Sequence, residues 1–200
     1  MALIIVGGQA KNVGKTTLIC NILSAFPDVK WTAVKVSNHR HATESCDLLG
    51  EASGWRILQQ NLGADYGDTG RFLKSGAARA LLVQTDDHSL KEACSLLLQE
   101  IAMADAVIVE SASAAEFLRH DLLLLLLDSE KSDFKTSASE QLDRADAFVI
   151  RGADSGVGKG LHDGSAKPVF KAFPNHLDSA LLRMLDARIK SSRQRARGDR

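Results

Sequence analysis

The sequence has no excess of either charge: 25 Lys and Arg balance 25 Asp and Glu. Zero formal net charge removes any global electrostatic reason to bind nucleic acid or an acidic membrane surface. Cysteine is sparse. Cys20, Cys46 and Cys94 are odd in number and lack metal-ligand spacing, so free thiols in a reduced, cytoplasmic setting are expected. No apolar run is long. The longest, Leu122 to Leu127, is far below the ~20 residues a bilayer span needs. The N-terminus lacks the basic region of a signal peptide, and its short apolar run enters a glycine loop directly. No internal repeat is found. A chain of 200 residues, 44% hydrophobic and 25% charged, suits one globular α/β domain with a real core. The domain is expected over residues 1–189, with 190–200 as a basic, disordered tail.

The most informative stretch is Leu3 to Cys20, LIIVGGQAKNVGKTTLIC. Leu3-Ile4-Ile5-Val6 reads as a buried strand. Gly7 and Gly8, a polar loop and Gly14-Lys15-Thr16-Thr17 follow, and Leu18, Ile19, Ile22 and Leu23 then recur at helical spacing. Strand, glycine loop, Gly-Lys-Thr and helix form the layout of a phosphate-binding P-loop. A helix start has unpaired N–H groups and partial positive charge, so it attracts anions. Backbone N–H groups from Asn12 through Val13 to Thr16 are expected on the phosphates. Gly14 lets the backbone approach closely, Lys15 faces the β- and γ-phosphates, and the Thr16 hydroxyl holds Mg²⁺. The usual G-x-x-x-x-G-K-[ST] spacing puts the first glycine at position 9, where this chain has Gln9, with Gly8 one residue early. Either the loop is one residue longer or Gln9 takes the glycine's place. Lys11 lies in the loop, within reach of phosphate.

Further strands are expected over residues 31–36, 80–84, 104–111, 122–127, 145–150 and 167–172, giving about seven in a mostly parallel sheet flanked by helices in three layers. Polar residues at strand C-termini then face one ligand-binding edge. Ser37-Asn38-His39-Arg40-His41 follows the second strand. Glu110 ends the fourth, where P-loop proteins place a second metal-shell carboxylate. Between residues 42 and 67 glycines interrupt two partly helical stretches, 46–49 and 55–62, which reads as a flexible segment facing the site. Asp68 or Thr69 can cap a helix starting near Gly70; the alternative places Asp68 at the metal and Arg71 on phosphate. Residues 128–139 read as a polar loop and 140–144 as helical. Asp154 follows the sixth strand where GTP-binding P-loop proteins carry a base-reading aspartate, but Arg151 and Gly152 replace the Asn and Lys of that motif. A closing helix is expected over 178–189.

Three stretches resemble one family. They are GGQAKNVGKTTL, Lys35 followed by Asn38-His39-Arg40-His41, and Asp68-Thr69-x-Arg71 leading to Gly76-Ala77. Together with Glu110-Ser111 they are similar to segments of the molybdopterin-guanine dinucleotide biosynthesis protein B family. The chain departs from that pattern in its P-loop spacing, in Ser75, in Ser111 after Glu110 and in the length between His41 and Asp68. The resemblance implies a commonly dimeric GTP-binding protein. It would hydrolyse GTP weakly and assist the guanylyltransferase that completes the molybdenum cofactor.

The residues and the resemblance lead to one expectation. A purine nucleoside triphosphate, GTP or ATP, is bound with Mg²⁺. Lys15 neutralises developing charge, and Glu110 or Asp68 completes the metal shell set by Thr16. No strong base for an attacking water is evident, so hydrolysis is expected to be slow. Two other classes stay open: a kinase or amide-forming ligase with His39, His41, Asp68 and Arg71 around an acceptor, and an adaptor that binds nucleotide without turnover.

Overall fold

In a computed structural model of the chain, residues 1–39, 45–63, 67–152 and 167–198 are described. Strands are β1 (Ala2–Gly8), β2 (Trp31–Ser37), β3 (Cys46–Ala52), β4 (Trp55–Gln60), β5 (Arg79–Thr85), β6 (Ala106–Glu110), β7 (Leu122–Asp128), β8 (Ala147–Arg151) and β9 (Val169–Lys171). Helices are α1 (Lys15–Ala25), α2 (Gly67–Lys74), α3 (Leu90–Ile101), α4 (Thr136–Ser139) and α5 (Ser179–Gly198), with a 3₁₀ turn at Ser113–Glu116. The sheet order is β3-β4-β5-β2-β6-β1-β7-β8-β9. Every pairing is parallel except β3 with β4 and β4 with β5.

The central strands are apolar on both faces because both faces are covered. In β1, Ile4 and Val6 join one core with α1, Phe72 of α2 and Leu181, Leu185 and Ile189 of α5. Leu3 and Ile5 point the other way, into a core with Leu90, Cys94, Leu97 and Ile101 of α3. The six leucines of β7 divide in the same alternation between the two cores. This is the expected three-layer α/β arrangement. The three cysteines are free, and burial pushes the Cys94 thiol up to about 11.

Among the described residues the sheet has nine strands rather than about seven. The extra two form a hairpin where partly helical, flexible chain was expected. Ser53 and Gly54 make its turn, with Gly54 at φ 89°. Trp55 and Ile57 are buried in register with Thr85 and Val83 of β5. β3 is the exposed edge, carrying Asp47 and Glu51, charges that discourage further strand pairing. After β7 the helical turn falls at Thr136–Ser139, ahead of the expected 140–144. The closing helix does not stop near Ile189. It continues through the expected tail to Gly198, with Ser192 buried and Arg195 paired to Asp121. Among the described residues no helix is long and apolar enough to cross a membrane.

Candidate nucleotide-binding site

The turn between β1 and α1 is shaped by close approach. A Cβ on Gly8 would lie 2.8 Å from both Val13 Cγ2 and Lys15 Cδ, so the lysine stem crosses directly over this glycine. Asn12 (φ 61°) and Gly14 (φ 103°) take the left-handed conformation, which Asn tolerates and Gly favours. They turn the chain so that α1 begins at Lys15, and among the described residues no side chain caps it. The first N–H groups of α1 are therefore left for an anion. Val13 contributes only backbone, since its side chain is fully buried beneath the loop.

Gln9 takes the place of the first glycine, and its side chain ties the loop down. Its Oε1 accepts from the Asp128 backbone N–H at 2.9 Å, and its Nε2 donates to the Lys131 carbonyl at 2.9 Å. Its backbone N–H donates to Leu126, and its carbonyl accepts from Lys135 N–H. The next three carbonyls are taken by cations: Ala10 by Lys15 Nζ, Lys11 by Lys131 Nζ and Asn12 by Arg151.

Beside the helix start, two carboxylates share one ammonium. The Thr16 hydroxyl donates to Glu110 Oε2 at 2.9 Å. Glu110 ends β6 and is only 3% exposed. Lys35, its neighbour in register on β2, contacts Glu110 Oε1 and lies 2.9 Å from Asp68 Oδ2. Asp68 belongs to the first turn of α2, where it pairs with Lys35 rather than only capping the helix. Arg71, one turn on, is 3.9 Å from Asp68 and 3.4 Å from the Thr17 hydroxyl. Two carboxylates sharing one cation, with a hydroxyl bonded to one of them, are hard oxygen groups of the kind that suit Mg²⁺. Among the described residues no group of three or more His, Cys, Asp or Glu is placed to hold a metal ion.

The charges tune one another. Burial disfavours the Lys35 ammonium, but Glu110 and Asp68 outweigh it and raise its pKa above 10.5. Burial also disfavours the Asp68 carboxylate, yet hydrogen bonds and charge from Lys35, with Thr16 and Arg71, bring its pKa below 3.8. Lys15 goes the other way: burial lowers its pKa, Glu110 opposes this, and Lys35 and Lys135 add to it. Lys15 is thus short of negative charge.

A pH dependence follows from the paired groups. The contribution of Asp68 is complete above its unfolded value of 3.8 and is lost as pH falls through the depressed folded value. That of Lys35 is complete below 10.5 and is lost as pH rises through its elevated value. Urea melts from about pH 5 to 9 should show no titration from this pair. The Asp68→Asn variant should lose part of the acid limb. An acid limb identical to the parent's would contradict the pairing.

These groups line a groove of about 1270 Å³ over the strand C-termini. Every expected site residue in the described part lines it except Val13: Gly8, Lys11, Asn12, Gly14, Lys15, Thr16, Thr17, Asp68, Arg71 and Glu110. His39 lines it too, 3.5 Å from Lys11 Nζ. Asp154, Arg40 and His41 lie outside the described residues. Sequence reasoning gave no chemical role to Lys35, Gln9 or Lys135. Lys35 stood in the sequence only as part of the resemblance, as the lysine ahead of Asn38-His39-Arg40-His41.

No protein-family model matches the chain, and no curated protein matches it in sequence. Solved structures match in shape. HypB from Helicobacter pylori, in complex with nickel, aligns with TM-score 0.55 and 18% identity over 96% of this chain and 88% of that one. LpxK from Aquifex aeolicus, in complex with ATP, aligns with TM-score 0.52 and 18% identity over 86% of this chain. The signal recognition particle receptor FtsY from Elizabethkingia anophelis, in complex with GDP, aligns with TM-score 0.51 and 15% identity over 94%. The fold is that of the P-loop nucleoside triphosphatases. The chain spans 54% of the LpxK chain and 63% of the FtsY chain.

Proposed function

We propose that this chain binds a purine nucleoside triphosphate with Mg²⁺ in the groove and hydrolyses it slowly. One observation supports the reading: Glu110 and Asp68 share the Lys35 ammonium, and the Thr16 hydroxyl donates to Glu110, beside Lys15 at the open start of α1. Thr16, Glu110 and Asp68 would hold Mg²⁺, which when bound neutralises phosphate charge. Lys15, short of counter-charge, would neutralise the rest. Both carboxylates of the cluster are already paired, so neither is free to take a proton from water; this supports slow turnover.

The resemblance of the Lys35, Asp68 and Glu110 segments favours GTP. It also favours a role in molybdenum cofactor maturation, as a cytoplasmic homodimer working with a guanylyltransferase. The neighbours in complex with ATP and GDP fit the wider class of nucleotide. Phosphate release tests the reading. With Mg²⁺, GTP turnover on the order of 10⁻³ per second or slower is expected, exceeding that of ATP. Turnover of ATP alone would contradict the GTP reading.

A second reading is favoured by the groove's size, which exceeds the ~300–1,000 Å³ of an ordinary ligand pocket and leaves space toward His39 and Asp87. An acceptor bound there would make the chain a kinase or an amide-forming ligase.

A further inference from the structure

We propose that Lys35 keeps Mg²⁺ from binding ahead of nucleotide: its ammonium is the resident cation of Glu110 and Asp68, so the metal enters only together with phosphate. This rests on the nucleotide reading above, which gives those two carboxylates to Mg²⁺.

The Glu110 side chain is 2% exposed. A carboxylate so placed needs a cation or donors, because burial without them is costly. The chain supplies the cation from the neighbouring strand. Lys35 is the register partner of Glu110 in the β2–β6 pairing. Its own neighbours, Val34 and Val36, pack on the far face of the sheet, in the core with α3. Alternation along β2 therefore directs Lys35 to the side of α1 and α2, with Ala33. There its Nζ contacts Glu110 Oε1 and lies 2.9 Å from Asp68 Oδ2. One ammonium thus ties a strand end to the first turn of α2 and holds two carboxylates together.

The local charge is already balanced. Lys35 contacts both carboxylates, and Arg71 stands 3.9 Å from Asp68. Two cations against two anions leave no net negative charge to draw a divalent ion, and an ion placed beside Lys35 meets like charge at short range. Among the described residues no third carboxylate, His or Cys completes a metal-binding group with Glu110 and Asp68. Mg²⁺ sheds water reluctantly and is usually held by one or two carboxylates together with substrate phosphates. Phosphate brings the negative charge that the four side chains lack. The metal therefore arrives as part of a metal–nucleotide complex, and until then Lys35 keeps the two carboxylates paired.

The test titrates Mn²⁺, a stand-in for Mg²⁺ whose free ion is read by electron paramagnetic resonance, into the full chain without nucleotide. Lys35→Met keeps an unbranched stem and removes the charge. It should bind Mn²⁺ about tenfold more tightly than the parent, or better. Lys35→Arg keeps a cation and should stay as weak as the parent. Adding Asp68→Asn to Lys35→Met should remove the gain, which places the ion at these carboxylates. Melting gives a second readout. Lys35→Met should melt below the parent in EDTA and recover part of the loss in millimolar Mg²⁺, while the parent should not respond to Mg²⁺. Equal Mn²⁺ affinity in the parent and Lys35→Met would overturn the proposal, as would a Lys35→Met chain that stays unfolded with and without metal. None of these titrations contains nucleotide, so their failure is distinct from that of the nucleotide reading, which falls if the parent binds no magnesium nucleotide.

Discussion

Lys15→Ala is expected to weaken binding of a magnesium nucleoside triphosphate by about 100-fold or more while leaving the fold intact. The two halves of this result have separate causes. On binding, the ammonium would meet two phosphates in a partly dry groove. Charge-assisted hydrogen bonds of this kind are worth about 1.5–3 kcal/mol each, and about 1.4 kcal/mol is tenfold in affinity. Among the described residues Lys15 makes only a 3.3 Å contact, to the Ala10 carbonyl, and burial works against its charge. Removing it costs no ion pair. Thermal melting should therefore hold steady or rise slightly. A Lys15→Ala protein that binds nucleotide as tightly as its parent would contradict a phosphate role for this loop.

Glu110→Ala should do the reverse to stability. Glu110 is 3% exposed and satisfies two groups at once, the Thr16 hydroxyl and the Lys35 ammonium. Truncation leaves Lys35, 21% exposed at its side chain, with Asp68 alone. Breaking a buried pair from one side costs about 3–5 kcal/mol; the remaining Asp68 contact argues for the low end, about 3 kcal/mol. For a chain of this size that is a fall of about 6–12 °C in melting temperature. Glu110→Gln keeps the shape and an acceptor and should lose less. In both variants nucleotide affinity should lose its dependence on Mg²⁺. A Glu110→Ala protein as stable as its parent, with Mg²⁺ dependence unchanged, would remove Glu110 from the site.

The layered fold was readable because its strands announce themselves. β1 and β7 are apolar on both faces, and each ends in residues of another character: Gly7 and Gly8, then Asp128. Glycine and β-branched residues mark the P-loop for the same physical reasons that make it work. The hairpin β3–β4 was missed because glycines at 50, 54 and 63 look like interruptions. Only pairing with β5 shows that Gly54 is a turn, and Gly50 lies at a break in register. The continuation of α5 was hidden by its polar composition; burial of Ser192 and the Arg195–Asp121 pair are tertiary events.

Thr16 and Glu110 were named from motif spacing and a strand end, and Asp68 as an alternative to a helix cap; the fold places all three along one groove. Lys35 was given no chemical role, because a lysine inside a strand has none until its neighbours in register are known. Glu110 is adjacent only through the β2–β6 pairing. Gln9 stood out as a departure from the glycine spacing. Its partners, Asp128 and Lys131, lie more than a hundred residues away, so only the fold could explain it.

The central claim is that the groove at the start of α1 binds a magnesium nucleoside triphosphate. Calorimetric titration of GTP and of ATP into the purified protein, each with and without Mg²⁺, tests it most directly. The expected result is saturable binding that needs Mg²⁺ for full affinity, with GTP the tighter ligand. Absence of binding for both nucleotides, with Mg²⁺ present and the protein folded, would contradict it.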